Sequence, residues 1–80
     1  MFFAYILKSE LDGSHYYGHC EDFEKRLKRH NAGKVRSTKA KRPWKLHYFE
    51  EFQTQSEAYK REMFFKSIEG YQFLKANGIT

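Results

Sequence analysis

Five side chains that could act on a phosphodiester are spread along this 80-residue chain. They are two phenols, a guanidinium, an imidazole and a carboxylate: Tyr5, Tyr16, Arg26, His30 and Glu62. Hydrolysis of a phosphodiester needs an attacking water, a group that takes its proton, and positive charge near the phosphate. Arginine offers a fixed fork of donors that suits phosphate oxygens. A single carboxylate can hold one Mg²⁺ ion, because Mg²⁺ keeps several water ligands.

Two strands must position the phenols. Residues 2–8 form an apolar run rich in aromatic residues, which predicts a strand covered on both faces. Residues 15–20 read as its antiparallel partner. Asp12 and Gly13 between them predict a two-residue type I′ turn, in which both residues have positive φ.

This turn predicts the register of the hairpin. Leu7 should pair with Gly18, and Tyr5 with Cys20. Directly paired residues point to the same face of a sheet, and side chains alternate along a strand. Tyr5 and Tyr16 are therefore expected on one face, beside the space that Gly18 leaves.

A helix should carry the guanidinium and the imidazole. Asp22 is a helix-capping residue, and Gly33 suits the position just after a helix that ends near Ala32. Helical spacing from Phe23 predicts one inward-facing stripe, which includes polar as well as apolar residues: Phe23, Arg26, Leu27 and His30.

The carboxylate belongs to a second helix. Residues 44–52 predict a third strand, and Thr54 with Glu57 forms a capping box that starts a helix running to about Lys66. Four residues of this helix form its predicted apolar stripe, on which Glu62 also lies: Ala58, Tyr59, Met63 and Phe65.

A short last helix over residues 68–76 should pack Tyr71, Phe73 and Leu74, although Gly70 lowers its helix propensity. The predicted fold is therefore α+β, with a three-stranded antiparallel sheet flanked by helices in the order β-β-α-β-α-α. The whole chain, 1–80, is expected to form one domain.

The charge balance indicates a polyanionic partner. The net charge is +5 and the pI is about 9.4, which suits nucleic acid. Five basic residues of the loop over residues 34–42 are candidates for backbone contacts with nucleic acid: Lys34, Arg36, Lys39, Lys41 and Arg42. A solvated charged loop is the alternative interpretation of the same residues.

Cysteine and hydrophobic patterns bear on location. Cys20 is the single cysteine, which fits a reducing cytoplasm. The apolar N-terminal run is too short to cross a bilayer and has no signal-peptide pattern. We therefore expect a cytoplasmic protein with no membrane partner.

The order of these residues resembles the GIY-YIG nuclease family, especially its small single-domain bacterial members related to the N-terminal nuclease domain of the excision-repair C subunit. The resemblance rests on five stretches: residues 5–8, residues 18–22, Arg26-Leu27 with His30-Asn31, residues 42–46 and residues 57–66. It covers nearly the whole chain. The first motif has Phe3-Ala4-Tyr5 where the family has Gly-Ile-Tyr.

The resemblance implies a metal-dependent endonuclease that hydrolyses phosphodiester bonds in DNA, with a role in DNA repair or processing. It implies that Glu62 binds a divalent metal, Mg²⁺ or Mn²⁺, and that Arg26 is the catalytic arginine. Tyr5 and Tyr16 would be the signature tyrosines, with His30 on the helix of Arg26. The alternative is a basic nucleic-acid-binding module that keeps the nuclease fold without catalysis.

Overall fold

The computed structural model describes all 80 residues. The elements run in the order β1 Phe2–Ser9, β2 His15–Cys20, α1 Phe23–Asn31, a 3₁₀ turn at Lys39–Lys41, β3 Trp44–Phe52, α2 Gln55–Phe65 and α3 Ile68–Ala76. The strands form one antiparallel sheet in the order β2-β1-β3. This confirms the predicted α+β class and order of elements.

Strand β1 lies at the centre of the sheet and contributes to a core on each face. On what we call the α1 face, the buried residues are Tyr5, Leu7 and Trp44, against which Leu27 of α1 packs. On the α2/α3 face, the buried residues are Ala4, Ile6, Phe65 and Leu74. Because both faces are covered, β1 is apolar at nearly every position.

The hairpin between β1 and β2 differs from the predicted type I′ turn. Only Gly13 has positive φ, at 77°, whereas that turn needs positive φ at Asp12 as well. The Ser9 side chain accepts hydrogen bonds from the backbone nitrogens of Leu11 and Asp12, at 3.1 and 3.2 Å. These side-chain bonds satisfy the backbone donors of a wider, five-residue connection, which the dipeptide pattern did not reveal.

The wider loop corrects the predicted register by two residues. Tyr5 pairs with Gly18 and Leu7 with Tyr16, so the predicted pairs of Tyr5 with Cys20 and Leu7 with Gly18 are wrong. A shift of two residues keeps every side chain on its face, whereas a shift of one would reverse them. Tyr5 and Tyr16 consequently still share the α1 face.

The predicted limits of α1 and β3 are confirmed. The Asp22 side chain accepts from the backbone nitrogens of Glu24 and Lys25, and Gly33 follows the helix with φ 76°. Strand β3 covers the predicted range of 44–52. Local signals were sufficient here because each helix end needs a specific partner for its free backbone groups.

Helix α2 begins with the predicted capping box of Thr54 and Glu57. Ala58 and Phe65 of its predicted stripe are buried, but the predicted burial of Tyr59 and Met63 is wrong. Tyr59 and Met63 are 49% and 38% exposed, and the buried residues are Ala58, Glu62 and Phe65. The buried side of α2 is narrow because the helix meets the sheet beside the edge strand β2, so only part of its circumference is covered.

Helix α3 packs by Phe73 and Leu74 as predicted, whereas Tyr71 is 54% exposed, so its predicted packing is wrong. None of the helices is both long and apolar enough to traverse a bilayer.

We expect Gly70→Ala to destabilise the protein severely. A Cβ at this position would lie 1.7 Å from the backbone oxygen of Phe64 and 2.8 Å from the Cα of Phe65. Backbone atoms cannot yield as a side chain can, so α3 would have to move off α2. A loss of about 3 kcal/mol or more in the free energy of unfolding is expected, as for strong overpacking. Urea denaturation measures it, with exposed Ala76→Gly as a control that should lose about 1 kcal/mol or less.

Candidate active site

On the α1 face, a chain of three hydrogen bonds links β1 to the loop over residues 34–42, which we call the basic loop. The Tyr5 hydroxyl lies 3.2 Å from Nε2 of His30, and Nδ1 of His30 lies 2.8 Å from Oγ1 of Thr38. The Thr38 hydroxyl donates to the backbone oxygen of Val35, at 3.2 Å. Since that hydroxyl has one proton, Nδ1 of His30 must donate to Thr38. Nε2 of neutral His30 is then the acceptor of the Tyr5 proton.

His30 is fixed as a neutral imidazole. Its side chain is fully buried, and burial together with the nearby Arg26 and Arg29 lowers the pKa of His30 to about 4 from the ordinary 6.5. Full burial and two specific hydrogen bonds give it one tautomer and one ring orientation.

We expect His30 to make stability depend on pH. Because the folded pKa is below the unfolded one, the unfolded chain binds more protons between pH 6.5 and 4. The free energy of unfolding should therefore fall as the pH is lowered through this window. Urea denaturation at several pH values should show a shallower fall for His30→Gln, and equal slopes for both proteins would contradict this origin.

Tyr5 is a buried phenol and is 1% exposed. Burial raises the pKa of Tyr5 to about 12, although the Arg26 guanidinium partly offsets this by favouring the phenolate. Its ring lies against Gly18, where a Cβ would come within 2.5 Å of the Tyr5 hydroxyl oxygen. The glycine of the Tyr16-Tyr17-Gly18 segment is therefore required by the close approach of this ring.

We expect Gly18→Ala to displace the Tyr5 ring and break its hydrogen bond to His30. The new methyl group would also lie 2.6 Å from the ring carbon Cζ, so rotation of the hydroxyl cannot relieve the contact. A loss of about 1–3 kcal/mol in the free energy of unfolding is expected from such overpacking. In a double-mutant cycle, Gly18→Ala should lower the free energy of unfolding less when Tyr5 is already replaced by leucine. If the two substitutions lower it additively, the contact between Gly18 and the Tyr5 ring is contradicted.

Arg26 adjoins both phenols. The close approach of the Tyr5 hydroxyl raises the pKa of Arg26, against the opposing effect of burial, and Tyr16 and Cys20 act in the same direction. Its Nε atom is buried and has no hydrogen-bond partner in the chain. An unsatisfied buried donor costs about 1–3 kcal/mol, so a bound anion that accepts from this guanidinium would recover that energy.

Tyr16 is the more accessible of the two phenols, since it is partly exposed while Tyr5 is buried. The ring of Tyr16 packs at 4.9 Å from that of His30 and at 6.4 Å from that of Tyr5, measured between centroids. The structure thus brings together four of the five predicted residues: Tyr5, Tyr16, Arg26 and His30.

Glu62 is held by a different set of partners. Its Oε1 lies 2.7 Å from Nδ1 of His19, and its Oε2 lies 2.7 Å from Nζ of Lys66. The carboxylate is 10% exposed. His19 pairs with Ala4 in the sheet, so its side chain belongs to the α2/α3 face.

The structure therefore places Glu62 apart from the other four residues. The two groups meet at the edge strand β2, where Gly18 lies beneath Tyr5 and the next residue, His19, contacts Glu62. Since β2 is an outer strand, no further strand covers the sheet at this edge.

The donor set of Glu62 suits a single hard cation. No group of three or more metal-binding side chains occurs, but Mg²⁺ needs only one or two carboxylates and keeps its other water ligands. Oε2 already accepts from a cation, the Lys66 ammonium, whose side chain is 47% exposed. A metal ion held at Oε2 would take the place of this flexible ammonium group.

The basic loop is divided between structural and free side chains. Nε of Arg42 donates to the backbone oxygen of Lys39 at 2.8 Å, and Lys41 lies 3.6 Å from Asp12. Lys34, Arg36 and Lys39 are exposed and form no ion pair. Only these three are fully available for a polyanion.

Sequence reasoning missed three residues of these clusters: His19, Thr38 and Lys66. Lys66 had a usable signal, since it follows Glu62 by four residues on one helix. The positions of His19 and Thr38 depend on the sheet register and the loop path, which local patterns do not give.

Residues 1–71 match the GIY-YIG catalytic domain. The chain belongs to the GIY-YIG family. Its nuclease-like fold and the Tyr5, Tyr16 and Gly18 positions are consistent with the two motifs that give this family its name.

Named relatives of this GIY-YIG protein are bacterial UPF0213 proteins. One from Staphylococcus saprophyticus is 45% identical over 74 residues, covering 91% of this chain and 89% of the relative. One from Bacillus licheniformis is 46% identical over 67 residues, covering 82% and 68%. The solution NMR structure of the UPF0213 protein BH0048 from Bacillus halodurans has 31% identity and a TM-score of 0.54, covering 95% of this chain and 84% of that one.

Proposed function

We propose that this protein is a metal-dependent endonuclease that hydrolyses phosphodiester bonds in DNA. The observation that carries the proposal is Arg26, a guanidinium with a buried and unpartnered donor, near two phenols in a GIY-YIG domain. A phosphate diester provides acceptors for that donor, and the accessible hydroxyl of Tyr16 can exchange a proton with the attacking water.

Within this proposal, Tyr16 is the phenol that meets the substrate. Tyr5 is buried and its hydroxyl donates to Nε2 of His30. The hydrogen-bonding groups of both residues are therefore already used within the protein. Tyr5 and His30 therefore act as positioning residues. Their packed rings support the ring of Tyr16, and the Tyr5 hydroxyl supports the guanidinium of Arg26. Three side chains of the cluster could in principle take the proton of the attacking water: Tyr5, Tyr16 and His30. We propose Tyr16 for this role, because the other two are buried and hydrogen-bonded to each other.

Arg26 stabilises the negative charge that develops on the phosphate oxygens during attack. Across the edge strand β2 from Arg26, Glu62 would hold one Mg²⁺ or Mn²⁺ ion through Oε2. An ion there would supply positive charge to a substrate that passes over this edge. The attacking water gives one proton to the Tyr16 oxygen, whose own proton passes to solvent. The water oxygen forms a bond to phosphorus, the phosphorus–oxygen bond to the departing sugar breaks, and the departing oxygen takes a proton from solvent. The products are a phosphate monoester and a sugar hydroxyl.

The charge of the protein supports a nucleic-acid partner. The net charge of +5 and the three free cations Lys34, Arg36 and Lys39 favour contacts with the phosphate backbone, which supply affinity without sequence readout. On the separate grounds of the GIY-YIG resemblance and the single Cys20, we propose a cytoplasmic role in DNA repair or processing.

A cleavage panel tests the proposal. The protein is incubated with branched, single-stranded and duplex DNA, with Mg²⁺, with Mn²⁺ and with a chelator. We expect nicking with either metal, none with the chelator, and loss of activity in Tyr16→Phe without loss of fold. Binding without cleavage on every substrate and metal would overturn the proposal.

That outcome would favour the second candidate, a non-catalytic nucleic-acid-binding module. One observation supports it: both oxygens of Glu62 are satisfied within the chain, by His19 and Lys66. In such a module the carboxylate would serve only to join α2 to β2.

A further inference from the structure

A groove on the α1 face adjoins the guanidinium of Arg26 and has an aromatic wall. Its volume is about 890 Å³, and Phe3, Phe23, Cys20, Arg26 and Arg29 are among the residues that line it. We refer to it as the aromatic groove. It lies between the start of β1, the end of β2 and the first turns of α1.

Phe3 and Phe23 form the aromatic wall of the groove, and Phe49 packs against both of them. The centroids of Phe3 and Phe23 are 5.0 Å apart in an edge-to-face arrangement, and Phe49 contacts both from outside the groove, at 5.8 and 5.0 Å. None of the three is buried, and Phe49 is 44% exposed. A cluster of aromatic rings left open to water beside a charged site indicates a ligand-binding surface.

We propose that the aromatic groove binds an unpaired nucleobase of the strand whose phosphate is held by Arg26. Every base has a π face that can stack on a phenylalanine ring, whereas the bases of a duplex are stacked on one another and present only their edges. The preferred substrate class is therefore single-stranded DNA, or DNA with unpaired nucleotides. This inference rests on the proposed function for the placement of the phosphate.

The aromatic groove is continuous with the site at Arg26, and this favours a nucleobase as its occupant. The same guanidinium lines the groove and adjoins Tyr5 and Tyr16, so a phosphate at Arg26 has its neighbouring nucleotide at the groove. Arg29, one turn along α1 from Arg26, adds a second cation that can stack on a base or meet the next phosphate.

The charged rim of the groove is consistent with a base rather than a second phosphate inside it. Besides Arg26 and Arg29, four charged residues line the groove: the acidic Glu21, Asp22 and Glu24, and the basic Lys25. Carboxylates repel phosphate but accept hydrogen bonds from the exocyclic amino groups of bases. The rim thus keeps the backbone on the side of Arg26 and allows a base edge to enter.

Fluorescence of 2-aminopurine tests the inference without requiring cleavage. One oligonucleotide with a single 2-aminopurine is titrated with protein, as a free strand and as a duplex, with a chelator present. We expect the free strand to bind at least about 10-fold more tightly than the duplex, with quenching of the stacked base. Equal affinity for both forms without quenching would overturn the proposal.

Matched substitutions locate the effect. Phe23→Leu keeps an apolar side chain but removes the stacking face, and we expect it to weaken single-strand binding about 5-fold or more. Phe23→Tyr should retain binding, and Phe49→Leu, which changes the same ring cluster outside the groove, should have little effect. Equal effects of Phe23→Leu and Phe49→Leu would mean that only packing was altered, and would contradict the proposal.

A measurement on the unmodified protein does not depend on how the variants fold. A single-stranded oligonucleotide containing 5-iodouracil is photocrosslinked, and the modified peptide is identified by mass spectrometry. We expect modification at Phe3 or Phe23. Modification confined to other residues, or a concentration-dependent dimer that Phe23→Leu abolishes, would assign the groove to another occupant.

The two hypotheses fail in different ways. Groove-dependent binding of single strands with no cleavage under any metal would keep the aromatic groove and overturn the nuclease proposal. The protein could instead cleave duplex and single strands at equal rates with metal, and Phe23→Leu could leave these rates unchanged. That result would support the nuclease proposal and overturn the proposal that the aromatic groove binds a base.

Discussion

Arg26→Ala is expected to lower the rate constant of DNA cleavage by at least about 100-fold, because one donor group aimed at developing charge contributes this much or more in related chemistry. Affinity for DNA should fall only a few-fold, since a single phosphate contact among several is lost. The difference arises because the negative charge at the phosphate oxygens is greatest during attack, when the guanidinium acts most strongly. Single-turnover cleavage and fluorescence anisotropy measure the two quantities.

Arg26→Lys and Lys28→Ala provide the controls. Lysine keeps the charge of Arg26 but not its planar fork of donors, so rescue should be small. Lys28 is exposed on the same helix, so its substitution should leave the cleavage rate within a few-fold of the original. A cleavage rate equally lowered in both alanine variants would indicate a general loss of positive charge rather than a specific role for Arg26.

Local signals were sufficient to predict the elements but not the register of the hairpin. Asp22 and the Thr54–Glu57 capping box each satisfy specific backbone groups, so their type and spacing identify helix starts directly. The predicted hairpin turn was wrong because the Ser9 hydroxyl accepts two backbone hydrogen bonds, and these stabilise a wider loop. A two-residue error left both tyrosines on the predicted face because side chains alternate with a period of two.

The α1-face cluster could be anticipated because its members lie on two strands and one helix whose faces follow from periodicity. Glu62 could not be placed in the same way. Its position depends on how α2 crosses the edge strand and on its contact with His19, which is 43 residues away in sequence. The same uncertainty affected Tyr59 and Met63, since helical spacing defines a stripe but not which side of the helix the sheet covers.

Glu62→Gln is expected to abolish metal-dependent cleavage, with a fall in rate of at least about 100-fold. Loss of a bound cation that stabilises the attacked phosphate removes several kcal/mol of transition-state stabilisation, and each 1.36 kcal/mol corresponds to about a tenfold change in rate. Glutamine has the same size and can still contact His19, so the fold should be retained. Electron paramagnetic resonance of Mn²⁺ measures metal binding directly and should show its loss.

Lys66→Ala provides the opposing test, because the ammonium group lies 2.7 Å from the oxygen that would hold the metal. Removal of this competing cation should increase affinity for Mn²⁺ several-fold, by the direct Coulomb effect of a nearby charge at the protein surface. Glu69→Gln, an exposed position at the start of α3, should change neither cleavage nor metal binding. If Glu62→Gln cleaves DNA at the original rate and Lys66→Ala leaves Mn²⁺ affinity unchanged, the carboxylate only anchors α2 to β2, and the metal must bind elsewhere.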